Sequence, residues 1–301
     1  MSYQDRNQDS VSMEESRSSR RSAILMGGAA LAGLALGKAA FAQSATVTDA
    51  DILNFALNLE FLEAQFYTIA TTGMTLDQAG IPTKGGNGTA GGAVTVKQNA
   101  KVTFTTPLLQ KFAAEVAMDE QNHVKFLQAQ LGASAVAQPP IDLMNSFNAL
   151  AQAAGLGATF DPFASETNFL LGAFIFEDVG VTAYQGAAGL ISDKTYLDKA
   201  VGIHNVEAYH AASIRTRIFQ AGEAAQSASQ AIAATRARLD GTGTGDVGVG
   251  VMSGASTIVD NDDNALTFSR TTSQVLNIVY GGGPAGTGGA FYPKAMTGNI
   301  K

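Results

Sequence analysis

Four stretches of the chain carry apolar residues at three- and four-residue spacing with no internal proline. This period predicts α-helices over about 48–71, 107–131, 166–190 and 194–221. Capping chemistry marks their starts: Thr48 and Asp49 for the first, Thr105-Thr106-Pro107 for the second, Ser165-Glu166 for the third and Ser192-Asp193 for the fourth. Gly132 and Gly222 supply stops for the second and fourth.

The connections differ in length, and this constrains the topology. Between the first two helices lies KGGNGTAGGAVTVKQNAKVTF, whose alternating valines predict a small β-hairpin at about 93–104. About thirty-four residues join the second helix to the third, with Pro139-Pro140 and an apolar run from Leu143 to Leu150. Only a few join the third to the fourth. Short connections make antiparallel neighbours, and one long crossover in the middle gives an all-α, ferritin-like four-helix bundle. A further helical piece is expected at about 223–239. A Gly/Asp/Asn-rich tail follows, with a short apolar segment from Ser273 to Tyr280. Too few apolar residues remain there for a second core, so residues 223–301 are expected to wrap a bundle formed by 43–222.

Residues 1–42 read as an address. A polar start ends in Ser18-Ser19-Arg20-Arg21, runs into apolar Ile24 to Gly37 and closes on Ala40-Phe41-Ala42 before Gln43, the form of a signal peptide with a small-x-small cleavage site. The apolar part, about fourteen residues, falls short of the roughly twenty that span a bilayer, so no stable membrane span is expected after cleavage. Arg20-Arg21 resembles the bacterial twin-arginine signal. That resemblance implies a mature chain in the periplasm or outside the cell, exported already folded and with any metal loaded beforehand.

Composition narrows the chemistry. There are no cysteines, which excludes thiol catalysis, thiolate metal sites and disulfides and leaves carboxylate and imidazole as metal donors. The 19 basic residues stand against 26 acidic ones, with no Lys/Arg cluster beyond the first forty positions, so nucleic acid is not an expected partner. Nothing in the composition argues against a homo-oligomer.

The histidines number 3, and two of them follow a glutamate by three residues, in Glu120-Gln121-Asn122-His123 and Glu207-Ala208-Tyr209-His210. Residues three apart share a helix face, so each helix offers a carboxylate and an imidazole to one point. Each pair also lies on its helix's apolar stripe: Phe112, Val116, Glu120, His123 and Leu127 on one, Ala200, Ile203, Glu207, His210 and Ile214 on the other. Inward-facing carboxylates need a cation, and the nearest ones, Lys125 and Arg215, fall off these stripes. The other two helices contribute glutamate alone, Glu60 in NLEFLEAQFY and Glu177 in FIFEDVGVTAY, each followed seven residues later by a tyrosine, Tyr67 and Tyr184. That shared spacing selects Glu60 over the equally inward Glu63, whose counterpart on the third helix is Gly180. Two Glu-only helices and two Glu-x-x-His helices form the ligand set of di-iron and di-manganese carboxylate bundles. The six predicted ligands are therefore Glu60, Glu120, His123, Glu177, Glu207 and His210, around two divalent Fe or Mn ions.

The segments NLEFLEAQFY, DEQNHVKFL and VEAYHAASIR, with the tail sequences DNDDNALTFSRTTSQVLNIVYGGG and GGAFYPKAMTG, resemble the exported ferritin-like domain family that includes the desiccation-related proteins. Carried over position by position, the resemblance implies the same six ligands. In the wider di-iron proteins an acid at the place of Asp119 orients a ligand histidine, which implies a hydrogen bond to His210. Tyr67 and Tyr184 are expected against ligand carboxylates or in the core. Glu63 is read as a supporting or additional bridging carboxylate, and His204 as a neighbour of the site. The expected function is redox chemistry on O2 or H2O2 in the manner of a ferroxidase, peroxidase or catalase. The competing expectation is a non-enzymatic desiccation or stress protein.

Overall fold

The computed structural model describes residues 47–243 and 245–301; the expected export signal at 1–42 lies outside them. Four long helices make the bundle: α1 (Asp49–Thr72), α2 (Pro107–Leu131), α4 (Glu166–Ala188) and α5 (Lys194–Gln220). Three of the four starts are capped by side chains of residues expected from the sequence, while at α2 Thr106 makes no side-chain cap and Pro107 opens the helix. The Thr48 hydroxyl and the Asp51 carboxylate cap each other's backbone N–H groups, Ser165 accepts from the Asn168 N–H, and Asp193 accepts from those of Thr195 and Tyr196.

The two kinds of helix play different parts. α1 and α4 are apolar on nearly every side and are buried throughout, from Ile52 to Ala70 and from Phe169 to Tyr184. α2 and α5 are amphipathic, and their outer faces stay in solvent. α1 packs antiparallel to α2, and α4 to α5. The two pairs meet along α1 and α4, where Tyr67 reaches Glu177 and Tyr184 reaches Glu60. The apolar run in the crossover forms a short helix, α3 (Asn145–Ala153), with Phe147 in the core.

The small β element expected near 93–104 is present, but it is not a hairpin. Strand β1 (Val94–Thr95) pairs in parallel with β2 (Ile141–Asp142) of the crossover. The glycines next to β1, Gly91 and Gly92, serve close approach in place of a turn. Gly92 donates its N–H to the Gln138 carbonyl, and a Cβ at this position would lie 2.3 Å from the Pro140 nitrogen.

The segments beyond α5 cover α1 and α4, which explains why those helices need no polar face. α6 (Glu223–Leu239) packs on α4 and α5, and α7 (Thr272–Val279) on α4. A short antiparallel pair, β3 (Val251–Met252) with β4 (Ala255–Ser256), lies between them. The last loop is tied to α1 through buried Asn58, which bonds the Thr297 N–H, hydroxyl and carbonyl while its own carbonyl accepts from the Tyr292 hydroxyl. Arg215, Arg236 and Arg270 are buried against Asp178, Asp240 and Asp246, joining α4, α5 and α6 to the tail. Among the described residues no helix is long and apolar enough to cross a membrane.

Candidate metal centre

All six predicted ligands converge at mid-bundle. Glu60, Glu120, Glu177 and Glu207 are each 0 % exposed. His123 Nδ1 lies 3.2 Å from Glu60 Oε2, 3.3 Å from Glu120 Oε2 and 3.5 Å from Glu207 Oε1. His210 Nδ1 lies 3.0 Å from Glu120 Oε1 and 3.5 Å from Glu177 Oε2. The donors fall into two groups, Glu60-Glu120-His123-Glu207 and Glu120-Glu177-Glu207-His210, and Glu120 and Glu207 belong to both. The half-sites thus share one carboxylate from α2 and one from α5, while each has its own glutamate and histidine.

The Glu-x6-Tyr spacing of α1 and α4 acquires a geometric meaning. The Tyr67 hydroxyl donates to Glu177 Oε1 at 2.5 Å, and the Tyr184 hydroxyl donates to Glu60 Oε1. Each tyrosine therefore crosses from its own helix to fix the unshared glutamate of the other half-site, leaving that carboxylate's second oxygen toward the histidine. We predict that Tyr67→Phe or Tyr184→Phe weakens divalent metal binding about 10- to 100-fold, as loss of ligand-orienting hydrogen bonds commonly does. Isothermal titration with Mn(II) reads this, and unchanged affinity in both variants would remove the tyrosines from any role at the centre.

Asp119 Oδ2 stands 3.3 Å from His210 Nε2, so the ring is held from its far side with Nδ1 turned inward. His204 is half-buried on the neighbouring turn of α5 and outside both donor groups. Glu63 is buried beside Gly180 and Glu207 but also outside them.

Electrostatically the cluster calls for cations. Five of its atoms, Glu120 Oε1, Glu177 Oε2, both Glu207 oxygens and His210 Nδ1, make no well-formed hydrogen bond although they are buried. Burial, then the charges of Glu120 and Glu177, hold the Glu207 carboxyl well above the usual range; burial lifts Glu60 to about 7 despite nearby His123. Burial opposes the charging of His210, but Glu177 and Glu120 outweigh it and push the ring up to about 12. His123 is raised for like reasons by Glu60, Glu120 and Glu207. Glu120 goes the other way: burial would raise it, yet the two neighbouring histidines, His123 and His210, hold it low. Without metal, then, the cluster keeps protons that the unfolded chain would release.

This sets the sign of a pH effect. Glu60 and Glu207 favour the fold below the unfolded value of 4.5 and lose that contribution as pH rises through their raised values. The histidine contribution is complete below 6.5 and fades toward 12. Metal-free protein is expected to melt at least about 5 °C lower at pH 8 than at pH 5. Excess Mn(II) should cancel or reverse the trend, because the ions take the place of the protons. Calorimetry with and without metal decides it, and parallel pH trends in the two states would contradict the account.

A different centre is formed where Asp178, Asp246 and Asp260 approach one another. Sequence reasoning missed it. Arg215 and Arg236 already supply the positive charge there, with Asp178 Oδ2 accepting from both at 2.7 and 2.8 Å. Arg215 does leave the stripe of α5 that carries Glu207 and His210, as read from the sequence. It is buried nevertheless, because the chain around Val247 and Ile258 covers that side and accepts from its guanidinium.

Comparison with known proteins agrees with this architecture. Residues 48–220, from the cap of α1 to the end of α5, match the model of the ferritin-like domain. The chain is 28 % identical over 273 residues to desiccation-related protein PCC13-62 of Craterostigma plantagineum, with 83 % of each chain covered. It is 26 % identical over 269 residues to ferritin-like catalase Nec2 of Nesocodon mauritianus, with 84 % of each covered. No solved structure gives a significant match. With its four bundle helices inside the matched region, and relatives that include a desiccation-related protein, the chain belongs to the ferritin-like domain family.

Proposed function

We propose that the protein holds two divalent ions, Fe or Mn, on Glu60, Glu120, His123, Glu177, Glu207 and His210, and is a redox enzyme acting on H2O2 or O2. The observation that carries this is the pair of donor groups sharing Glu120 and Glu207. Four carboxylates balance two divalent charges, and oxygen donors with one imidazole per ion suit Fe or Mn. When bound, the pair of ions would supply two one-electron changes per turnover, which matches the two-electron chemistry of peroxide.

The chain's own residues would do the rest. Tyr67 and Tyr184 hold the unshared glutamates, Asp119 holds the His210 ring, and the apolar walls of α1 and α4 exclude bulk water from the ligands. His123 is the ligand nearest solvent, with a side chain 11 % exposed. The gap between α2 and α5 is therefore the natural approach for a small reactant, because the tail covers the opposite side.

The catalase named among the relatives favours peroxide disproportionation over ferroxidase or peroxidase chemistry. The desiccation-related relative favours a second reading, a metal-bearing or metal-free stress protein without turnover. We also propose export by the twin-arginine route to the periplasm or beyond, with the bundle at 43–222 and the tail at 223–301 as the mature protein. Metal analysis of native protein, followed by anaerobic Fe(II) or Mn(II) loading and exposure to H2O2 or O2, tests the main proposal. Oxygen evolved from peroxide by the loaded protein and not by metal-free protein is the expected result. Two bound ions without turnover would favour the stress-protein reading, and no bound metal would end the proposal of a centre.

A further inference from the structure

Glu63 stands three residues after Glu60, on the same inner face of α1. It is 4 % exposed, and no described residue hydrogen-bonds its carboxyl. On one side it borders a cavity walled by apolar side chains, Leu59, Leu62, Ile175, Phe176 and Val179 among them. A buried carboxyl in this setting is costly unless something polar meets it. The buried guanidiniums cannot, since Arg215, Arg236 and Arg270 are engaged by the aspartates on the other side of α4.

The facing wall is Gly180. A Cβ built there would lie 2.5 Å from Glu207 Oε2 and 3.2 Å from Glu63 Oε1. Carboxyls from α5 and α1 thus meet over a single α4 residue that has no side chain. The backbone at Gly180 is ordinary helix with no positive φ, so what glycine provides there is space for the two carboxyls and not a special conformation. A mid-helix glycine costs roughly 0.5–1 kcal/mol relative to alanine, which makes this room a feature that the fold maintains against propensity. It also breaks the likeness of the two halves. Glu60 with Tyr67 on α1 repeats as Glu177 with Tyr184 on α4, but the counterpart of Glu63 is the glycine that accommodates it.

We propose that Glu63 is a seventh ligand of the metal centre, joining it beside Glu207 in the space left by Gly180. This rests on the reading of the cluster as a two-metal site. A fifth carboxylate gives the ligand set one negative charge more than two divalent ions carry, so Glu63 favours a more highly charged, oxidised pair. It also makes the two positions chemically unequal.

Anaerobic Co(II) titration of the mature protein, read by visible absorption and calorimetry, tests this without reference to turnover. Wild type is expected to bind two ions of unequal affinity. Glu63→Gln, which keeps the side-chain volume, should weaken one of them about 10- to 100-fold and strengthen the Co(II) bands as the coordination number falls. Gly180→Ala, with Glu63 intact, should shift the spectrum as well, because the new methyl displaces the Glu207 and Glu63 carboxyls. Thermal melts of both variants without metal establish that they fold. A Glu63→Gln titration and spectrum matching wild type would overturn the role of Glu63 and leave the six-ligand centre standing. A wild type that binds no Co(II) would overturn both.

Discussion

Glu120→Ala is expected to lose both metal ions, whereas His210→Ala should lose one far more than the other. The difference follows from the sharing pattern. Glu120 Oε2 faces His123 and Glu120 Oε1 faces His210, so this carboxylate serves both donor groups; His210 serves only one. Removing a shared anion also leaves the two imidazoles, whose ring centroids are 6.4 Å apart, without the charge between them. We expect binding of both ions to fall by at least about 100-fold in Glu120→Ala, beyond the effect of losing one orienting contact. Metal content after Mn(II) loading and gel filtration, with circular dichroism to confirm the helices, measures it. Glu120→Gln provides the same test with packing preserved. Two ions retained by both Glu120 variants would refute the centre, and equal losses from both positions in His210→Ala would refute the division into half-sites.

The clustered glutamates and histidines of α2 and α5 were readable in the sequence because those helices are amphipathic. On such helices a glutamate or histidine on the apolar stripe stands out, and the repeat of Glu-x-x-His made two weak signals into one strong one. On α1 and α4 the same reasoning had little to grip. These helices are buried on nearly every side, so position on a stripe could not separate Glu60 from Glu63, and only the Glu-x6-Tyr spacing did so. The tyrosine contacts explain why that spacing worked: residues two turns apart on one antiparallel helix face two turns of the other. The role of Gly180 was hidden, because the need for an absent side chain shows only against the neighbours that fill the space. β1 was misjudged as half of a hairpin for a related reason. Gly92, just before it, answers to Pro139-Pro140 about fifty residues away, not to a local turn. The aspartates and arginines behind α4 had no local signature at all, since their partners come from segments far apart in sequence.

Asp178→Ala should destabilise the fold by about 3–5 kcal/mol, lowering the melting temperature by on the order of 10 °C, although Asp178 is no member of the glutamate–histidine cluster. Asp178 is 2 % exposed and accepts from both Arg215 and Arg236, which are themselves buried. Its removal strands positive charge that the protein interior cannot solvate. Arg236 retains Asp246 and the Phe174 carbonyl, and Arg215 retains backbone carbonyls from the tail, so the damage centres on the junction between α4 and residues 246–260. That segment should become open to limited proteolysis before the bundle does. Exposed Asp198, paired only with its exposed neighbour Lys199, is the control, and its alanine variant should stay within about 0.5 kcal/mol of wild type. Asp178 follows Glu177 in α4, with the Glu177 side chain turned to the glutamate–histidine cluster and the Asp178 side chain to the arginines. Loosening the tail should therefore reach the centre through the helix itself, as metal affinity that falls more steeply on warming in Asp178→Ala than in wild type. A variant that melts within about 2 °C of wild type would show instead that the tail is held by its apolar contacts and that the charged network adds little.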